Sequence, residues 1–214
     1  MSTSHYLYEL LGLMAVFSIM IVSPGADFAL VVRQSIVHGR RAAIVTSFGI
    51  GASLLFHISY TVLGLGLIVS KSLLLFSLIK WAGAAYLFYL GMKALRAPKP
   101  ETTPEFDERK PAKDSSPLRC FLMGFVTNAL NPKAVLFFLS LFSALVGHET
   151  PIEIQAGYGI VMSAALISWF VAVSVFFTMQ SVRDRFVSFG RWFNRITGIV
   201  FIGLGIKLAT QRAS

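Results

Sequence analysis

Charge is what this sequence has least of. Of its 214 residues only 14% are Asp, Glu, Lys or Arg, where a soluble domain carries about a quarter. With 55% hydrophobic residues and a mean hydropathy of +0.70, no single core could hide the apolar surface, so lipid is the expected solvent. Cysteine is nearly absent too: Cys120 stands alone, which excludes an internal disulfide, a Cys-based metal site and a dithiol relay. Acidic residues number 10 against 19 basic ones, a net charge of +9. That balance invites a nucleic-acid reading, but the basic residues sit in the gaps between apolar runs and not in one patch, so no nucleic-acid partner is expected. No Lys or Arg precedes the first apolar run near Tyr6, and a signal peptide needs a basic start and a cleavage site. That run therefore reads as a retained helix. Neither a Gly-x-Ser-x-Gly elbow nor a His-Glu-x-x-His pair occurs, which removes the most recognisable serine hydrolases and zinc enzymes.

What is present is a series of six apolar runs, near Tyr6–Val32, Ile44–Ser70, Leu73–Leu95, Phe121–Val146, Ile154–Met179 and Phe193–Ala209. About 20 helical residues cross the hydrocarbon. The sixth run is short, and Phe186–Trp192 could serve it as an interfacial lead-in. The expected fold is all-α, a polytopic membrane protein of six transmembrane helices. Residues 97–117 carry five prolines and mixed charges, the composition of a polar linker. The first, third and fifth loops hold 14 of the 19 basic residues and are expected to be cytoplasmic, the linker included, which puts both termini outside.

The halves on either side of the linker, 1–96 and 118–214, share an ordered set of residues. Ser23-Pro24-Gly25 matches Asn131-Pro132-Lys133. Gly49-Ile50 with Ser53 matches Gly159-Ile160 with Ser163. Gly83 and Gly91-x-Lys93 match Gly198 and Gly205-x-Lys207. Three helices per half is an odd number, so the second copy must insert upside down, which makes two inverted three-helix repeats. Chance likeness between apolar helices is the competing explanation.

The chemistry concentrates where these repeats carry proline. Ser23-Pro24-Gly25 lies inside the first run, and Pro132 inside the fourth. Proline withholds a backbone donor, so both helices are expected to break within the membrane, where broken backbone survives only against protein or a watery cavity. Asp27 follows the first break, about 9 Å inside the boundary marked by Arg33. Lys133 follows the second break and lies near mid-membrane. Asn128 and Asn131 are three residues apart, on one helical face. An ionisable group at such depth is costly and marks a functional site by default. A zwitterion needs an anionic partner, for which Asp27 is suited, and a cationic or donor partner, for which Lys133 and the two amides are suited. The competing reading makes Asp27 and Lys133 a structural pair. His57, midway along the second run, is a candidate proton relay, against the plainer role of a buried, hydrogen-bonded histidine. Trp169, Tyr86 and Tyr89 read as packing residues, and Trp81 and Trp192 as interfacial anchors.

Ser23-Pro24-Gly25-x-Asp27-Phe28 in the first run, with Gly124-x-x-x-Asn128-x-x-Asn131-Pro132-Lys133 in the fourth, resembles the LysE/RhtB family of amino acid exporters, most of all its threonine and homoserine branch. The resemblance spans nearly the whole chain. It departs at Ala26, where the family carries a second proline. It implies a multi-pass protein of the bacterial inner membrane that exports small amino acids, driven by protons and needing no cofactor, with a homodimer as an optional assembly. The rivals are a membrane scaffold or sensor without transport, which has no use for an internal charge pair, and a metal exporter, for which one carboxylate and one histidine inside the membrane are too few ligands.

Overall fold

The computed structural model describes residues 3–23, 25–71, 73–96, 116–147, 149–176 and 180–210. These form eight helices: α1 (Thr3–Val22), α2 (Ala26–Val37), α3 (Gly39–Lys71), α4 (Leu73–Arg96), α5 (Pro117–Ala129), α6 (Pro132–Leu145), α7 (Ile152–Phe176) and α8 (Gln180–Thr210). Of the linker expected at 97–117, residues 97–115 lie outside the described residues and Pro117 opens α5. Pro24 is likewise outside them.

The first and fourth apolar runs are each two helices. α1 gives way to α2 across Ser23–Gly25. α5 and α6 meet at Leu130–Asn131 with a bend of 59°. The last run is longer than its apolar part, since α8 continues back through Phe186–Trp192 to Gln180. By length and apolarity Ser4–Val22, Gly39–Gly64 and Ile152–Phe176 are each able to cross a membrane, and the bent α5–α6 pair makes a fourth candidate span. Large apolar side chains on these helices are exposed, among them Leu11, Phe48, Leu63, Val126 and Ile160. An apolar surface of that extent suits lipid and not water.

Local chemistry fixes the ends. Pro117 and Pro132 each occupy a first helical turn, where a missing N–H costs nothing. Ser116 Oγ caps α5 by accepting from Arg119 N, and Asn131 Oδ1 caps α6 by accepting from Lys133 N at 3.0 Å. Between α2 and α3 the chain reverses at Gly39, whose φ of +81° lies in the left-handed region that favours glycine.

Glycine sets the tightest helix contacts. A Cβ on Gly49 would strike the Phe121 carbonyl, and one on Gly124 would strike the Thr46 carbonyl, so α3 and α5 touch backbone to backbone. Thr46 Oγ1 bridges the same seam to the Cys120 carbonyl at 3.2 Å. α4 and α8 meet the same way. Gly91 faces the Gly198 carbonyl, and Gly205 faces the Ala84 carbonyl. As one number rises the other falls, so this pair is antiparallel. Small residues permit such close approach where lipid offers no hydrophobic drive between helices. The core lies between these seams and is rich in phenylalanine. Phe138 of α6 contacts Phe17, Phe137 and the His57 ring at 5.4–5.9 Å between centroids, and Phe137 reaches Phe201.

At the α1 N-terminal end a buried carboxylate ties three segments together. Glu9 accepts from Gly147 N at 2.7 Å, from Thr150 Oγ1 at 3.0 Å and from Tyr158 O–H at 2.9 Å, and His5 Nε2 lies 3.3 Å away. Tyr158 O–H also reaches the Tyr6 carbonyl.

Candidate functional site

The two breaks meet. Each closes with a short backbone bond just before its proline: Ser23 N to the Met20 carbonyl at 3.2 Å, and Asn131 N to the Asn128 carbonyl at 2.9 Å. A proline has no N–H to return to the carbonyl four residues back, which for Pro132 is that of Asn128. That carbonyl takes Asn131 N instead, and His57 adds a second donor, with Nε2 3.0 Å from the Asn128 carbonyl. A carbonyl only accepts, so Nε2 carries the proton. Nδ1 is left to accept from Tyr60 O–H at 2.6 Å. The ring is fully buried and stacks on Phe138, so packing and both nitrogens fix its orientation.

The same asparagine reaches across to α2. Asn128 Nδ2 donates to Asp27 Oδ2 at 2.9 Å, and Asn131 Nδ2 donates to the same oxygen at 3.2 Å. A hydrogen-bonded chain thus runs from Tyr60 through His57 and Asn128 to Asp27. The other carboxylate oxygen, Oδ1, is buried and has no hydrogen-bond partner, and neither has Asn128 Oδ1. A buried acceptor without a donor is a substantial cost in a folded protein. Asp27 opens α2, whose N-terminus has no side-chain cap.

Lys133, the second residue of α6, lies against the other break, its Nζ 3.7 Å from the position a Cβ on Gly25 would take. Asp27 and Lys133 do not form an ion pair. Among the described residues the one ion pair is His5 with Glu9. The structural-pair alternative for Asp27 and Lys133 therefore has no direct contact behind it.

Two cavities share this junction. A narrow one of about 30 Å³, lined by Asp27, Asn128 and Phe138 among others, has room for little more than a water molecule. A wide one of about 490 Å³ opens beside Tyr86, Tyr89 and Lys93 of α4 and Asn194 of α8, a volume within the usual range for small-molecule sites. Ser23, Gly25, Ala26, Asn131 and Lys133 line both. Of the residues expected at the site, Asp27, Asn128, Asn131, His57, Ser23 and Gly25 are thus gathered with Lys133 at one place. Pro132 contributes its backbone as the first residue of α6, and Pro24 lies outside the described residues. Tyr86 and Trp169, expected as packing, both pack against the core, and Tyr86 and Tyr89 also border the wide cavity. Among the described residues no three His, Cys, Asp or Glu come together as a metal site would require.

A gathering of polar groups between two interrupted helices is what membrane transporters build around a solute, and comparison with known proteins agrees. The model for the LysE type translocator family matches residues 18–212. The chain belongs to the LysE type translocator family. This translocator is accordingly a membrane transport protein and not an enzyme. It is 30% identical to the threonine efflux protein of Escherichia coli K12 over 91% of its own length and 94% of that protein's. It is also 30% identical to the membrane protein YrhP of Bacillus subtilis, over 94% of its own length and 98% of that protein's. The homoserine/homoserine lactone efflux protein of Salmonella typhimurium matches at 34% over 63% of each chain. No solved structure matches the translocator.

Proposed function

We propose that this translocator is a secondary transporter that exports small amino acids, threonine- or homoserine-like, across the bacterial inner membrane in exchange for protons. The observation that carries the reading is Asp27 Oδ1, a buried carboxylate oxygen with no donor in the narrow cavity, which shares Ser23, Gly25, Ala26, Asn131 and Lys133 with a solute-sized one. Asn128 and Asn131 hold the carboxylate by its other oxygen, so its free side is presented in a fixed orientation. An α-ammonium supplies the missing donor and a counter-charge together. Lys133 at the neck between the cavities takes the α-carboxylate, helped by the uncapped N-terminus of α2. The substrate side chain then extends into the wide cavity.

Coupling follows from there being one free oxygen. A proton and an ammonium cannot both occupy Asp27 Oδ1, so release of one is the condition for binding the other. His57 and Tyr60 adjoin this carboxylate through Asn128, whose carbonyl and amide do not themselves relay a proton; His57 fixes the asparagine that holds Asp27 and adds a titratable group beside it. The names of the threonine and homoserine efflux relatives support the substrate class.

For the architecture, the reading is six spans in two inverted three-helix repeats, residues 1–96 and 118–214, joined by a cytoplasmic linker at 97–117, with both termini periplasmic. The antiparallel α4–α8 seam and the matching backbone closures before Pro24 and Pro132 support it, since both are what a two-fold relation between halves requires. The test is export of labelled threonine and homoserine from cells producing the wild-type chain, Asp27→Asn or Lys133→Ala at matched protein levels. Loss of export in both variants is expected. Normal export by both would remove the pair from the mechanism.

A further inference from the structure

The wide cavity is larger than a threonine side chain needs, and its lining is charged with one sign. Among the described residues that border it, Lys93 and Lys133 are cations and none is Asp or Glu. The remaining polar groups, the phenols of Tyr86 and Tyr89, Asn194 and Thr197, are neutral. The Lys93 Nζ lies 6.0 Å from the centroid of the Tyr89 ring, at the edge of cation–π range, and both residues stand exposed. In the arrangement proposed above Lys133 is taken up by the α-carboxylate, which leaves Lys93 facing whatever the side chain carries.

We infer that Lys93 is a charge filter for the side chain of the solute, so that this translocator accepts neutral and acidic amino acids and rejects cationic ones. This rests on the amino acid export reading and adds to it a residue that sets specificity. A lysine or arginine side chain entering the cavity meets a like charge and, among the described residues that border it, no carboxylate to offset it, and a like-charge encounter at a partly enclosed site is disfavoured. A hydroxyl, an apolar chain or a carboxylate meets no such obstacle, and the last gains a partner.

The experiment uses the purified full-length chain in proteoliposomes, with labelled L-threonine, L-glutamate and L-lysine offered together to the wild type, Lys93→Gln and Lys93→Glu. The readout is the ratio of lysine to threonine transported, which is independent of how much protein is active. The wild type is expected to pass threonine and exclude lysine. Lys93→Gln should raise the lysine ratio, and Lys93→Glu should raise it further, by roughly tenfold or more over the wild type, while lowering the glutamate ratio. Lysine transport by the wild type equal to that of threonine, or ratios unchanged in Lys93→Glu, would overturn the filter and leave the export reading standing. Failure of the wild type to transport any of the three would take down both.

Discussion

Two carboxylates are drawn into the helix bundle, and their surroundings differ in one respect. Both oxygens of Glu9 are met: Oε1 by Gly147 N and Thr150 Oγ1, Oε2 by Thr150 Oγ1 and Tyr158 O–H. At Asp27 one oxygen takes two amides and the other takes nothing. A saturated carboxylate is a fastening, because its free energy is already committed to the fold. An unsaturated one costs stability in the empty protein and recovers it when a donor arrives. What separates the two residues is how the donors fall on their oxygens.

That contrast is open to direct attack. The largest effect is expected from Glu9→Ala, which strips the acceptor from three buried donors at once and should cost about 3–5 kcal/mol of stability, measured as resistance to thermal unfolding in detergent. Asp27→Asn should do the reverse. Stability should stay within about 1 kcal/mol of the wild type, while export falls about a hundredfold, the value of a charge-assisted hydrogen bond. If Asp27→Asn unfolded the protein as readily as Glu9→Ala, the two carboxylates would have the same role and the distinction would be gone. Tyr158→Phe removes one of the Glu9 donors, and a loss of about 1 kcal/mol is expected with export per folded molecule unchanged. The smallest effect belongs to Tyr60→Phe. It takes the hydroxyl from His57 Nδ1 but leaves the bond to Asn128, so export should slow by about a few-fold with thermal stability nearly intact.

The sequence made one of these carboxylates conspicuous and hid the other. Asp27 could be picked out because proline and glycine beside it announce a break, and a break inside an apolar run has few physical explanations. The same logic located Asn128, Asn131 and Lys133. The loss of a donor at Pro132 gave no sign that His57 would reach the Asn128 carbonyl. Glu9 gave no such warning. Its partners are 138 to 149 positions away, and nothing in the local pattern of α1 points to them. Lys93 was obscured for a different reason. A lysine near the end of an apolar run reads as a topology signal, and its place beside the cavity depends on how α4 packs against α6 and α8. The tyrosines of α4 show the same limit: Tyr86 packs against the core as expected, yet both rings also border the cavity, and periodicity tells which face of a helix they share, not whether that face meets an opening.

Gly49 and Gly124 carry a consequence for how the protein moves. Where α3 and α5 touch at Gly49 and Gly124 the two backbones are in direct contact, and the one side chain bridging there, Thr46, is tied to the Cys120 carbonyl, which leaves little freedom for one helix to slide past the other. They must travel together as a slab. Any rocking that exposes Asp27 first to one side of the bilayer and then to the other has to be taken up elsewhere, and the left-handed Gly39 turn and the Ser23–Gly25 interruption are the joints the chain provides.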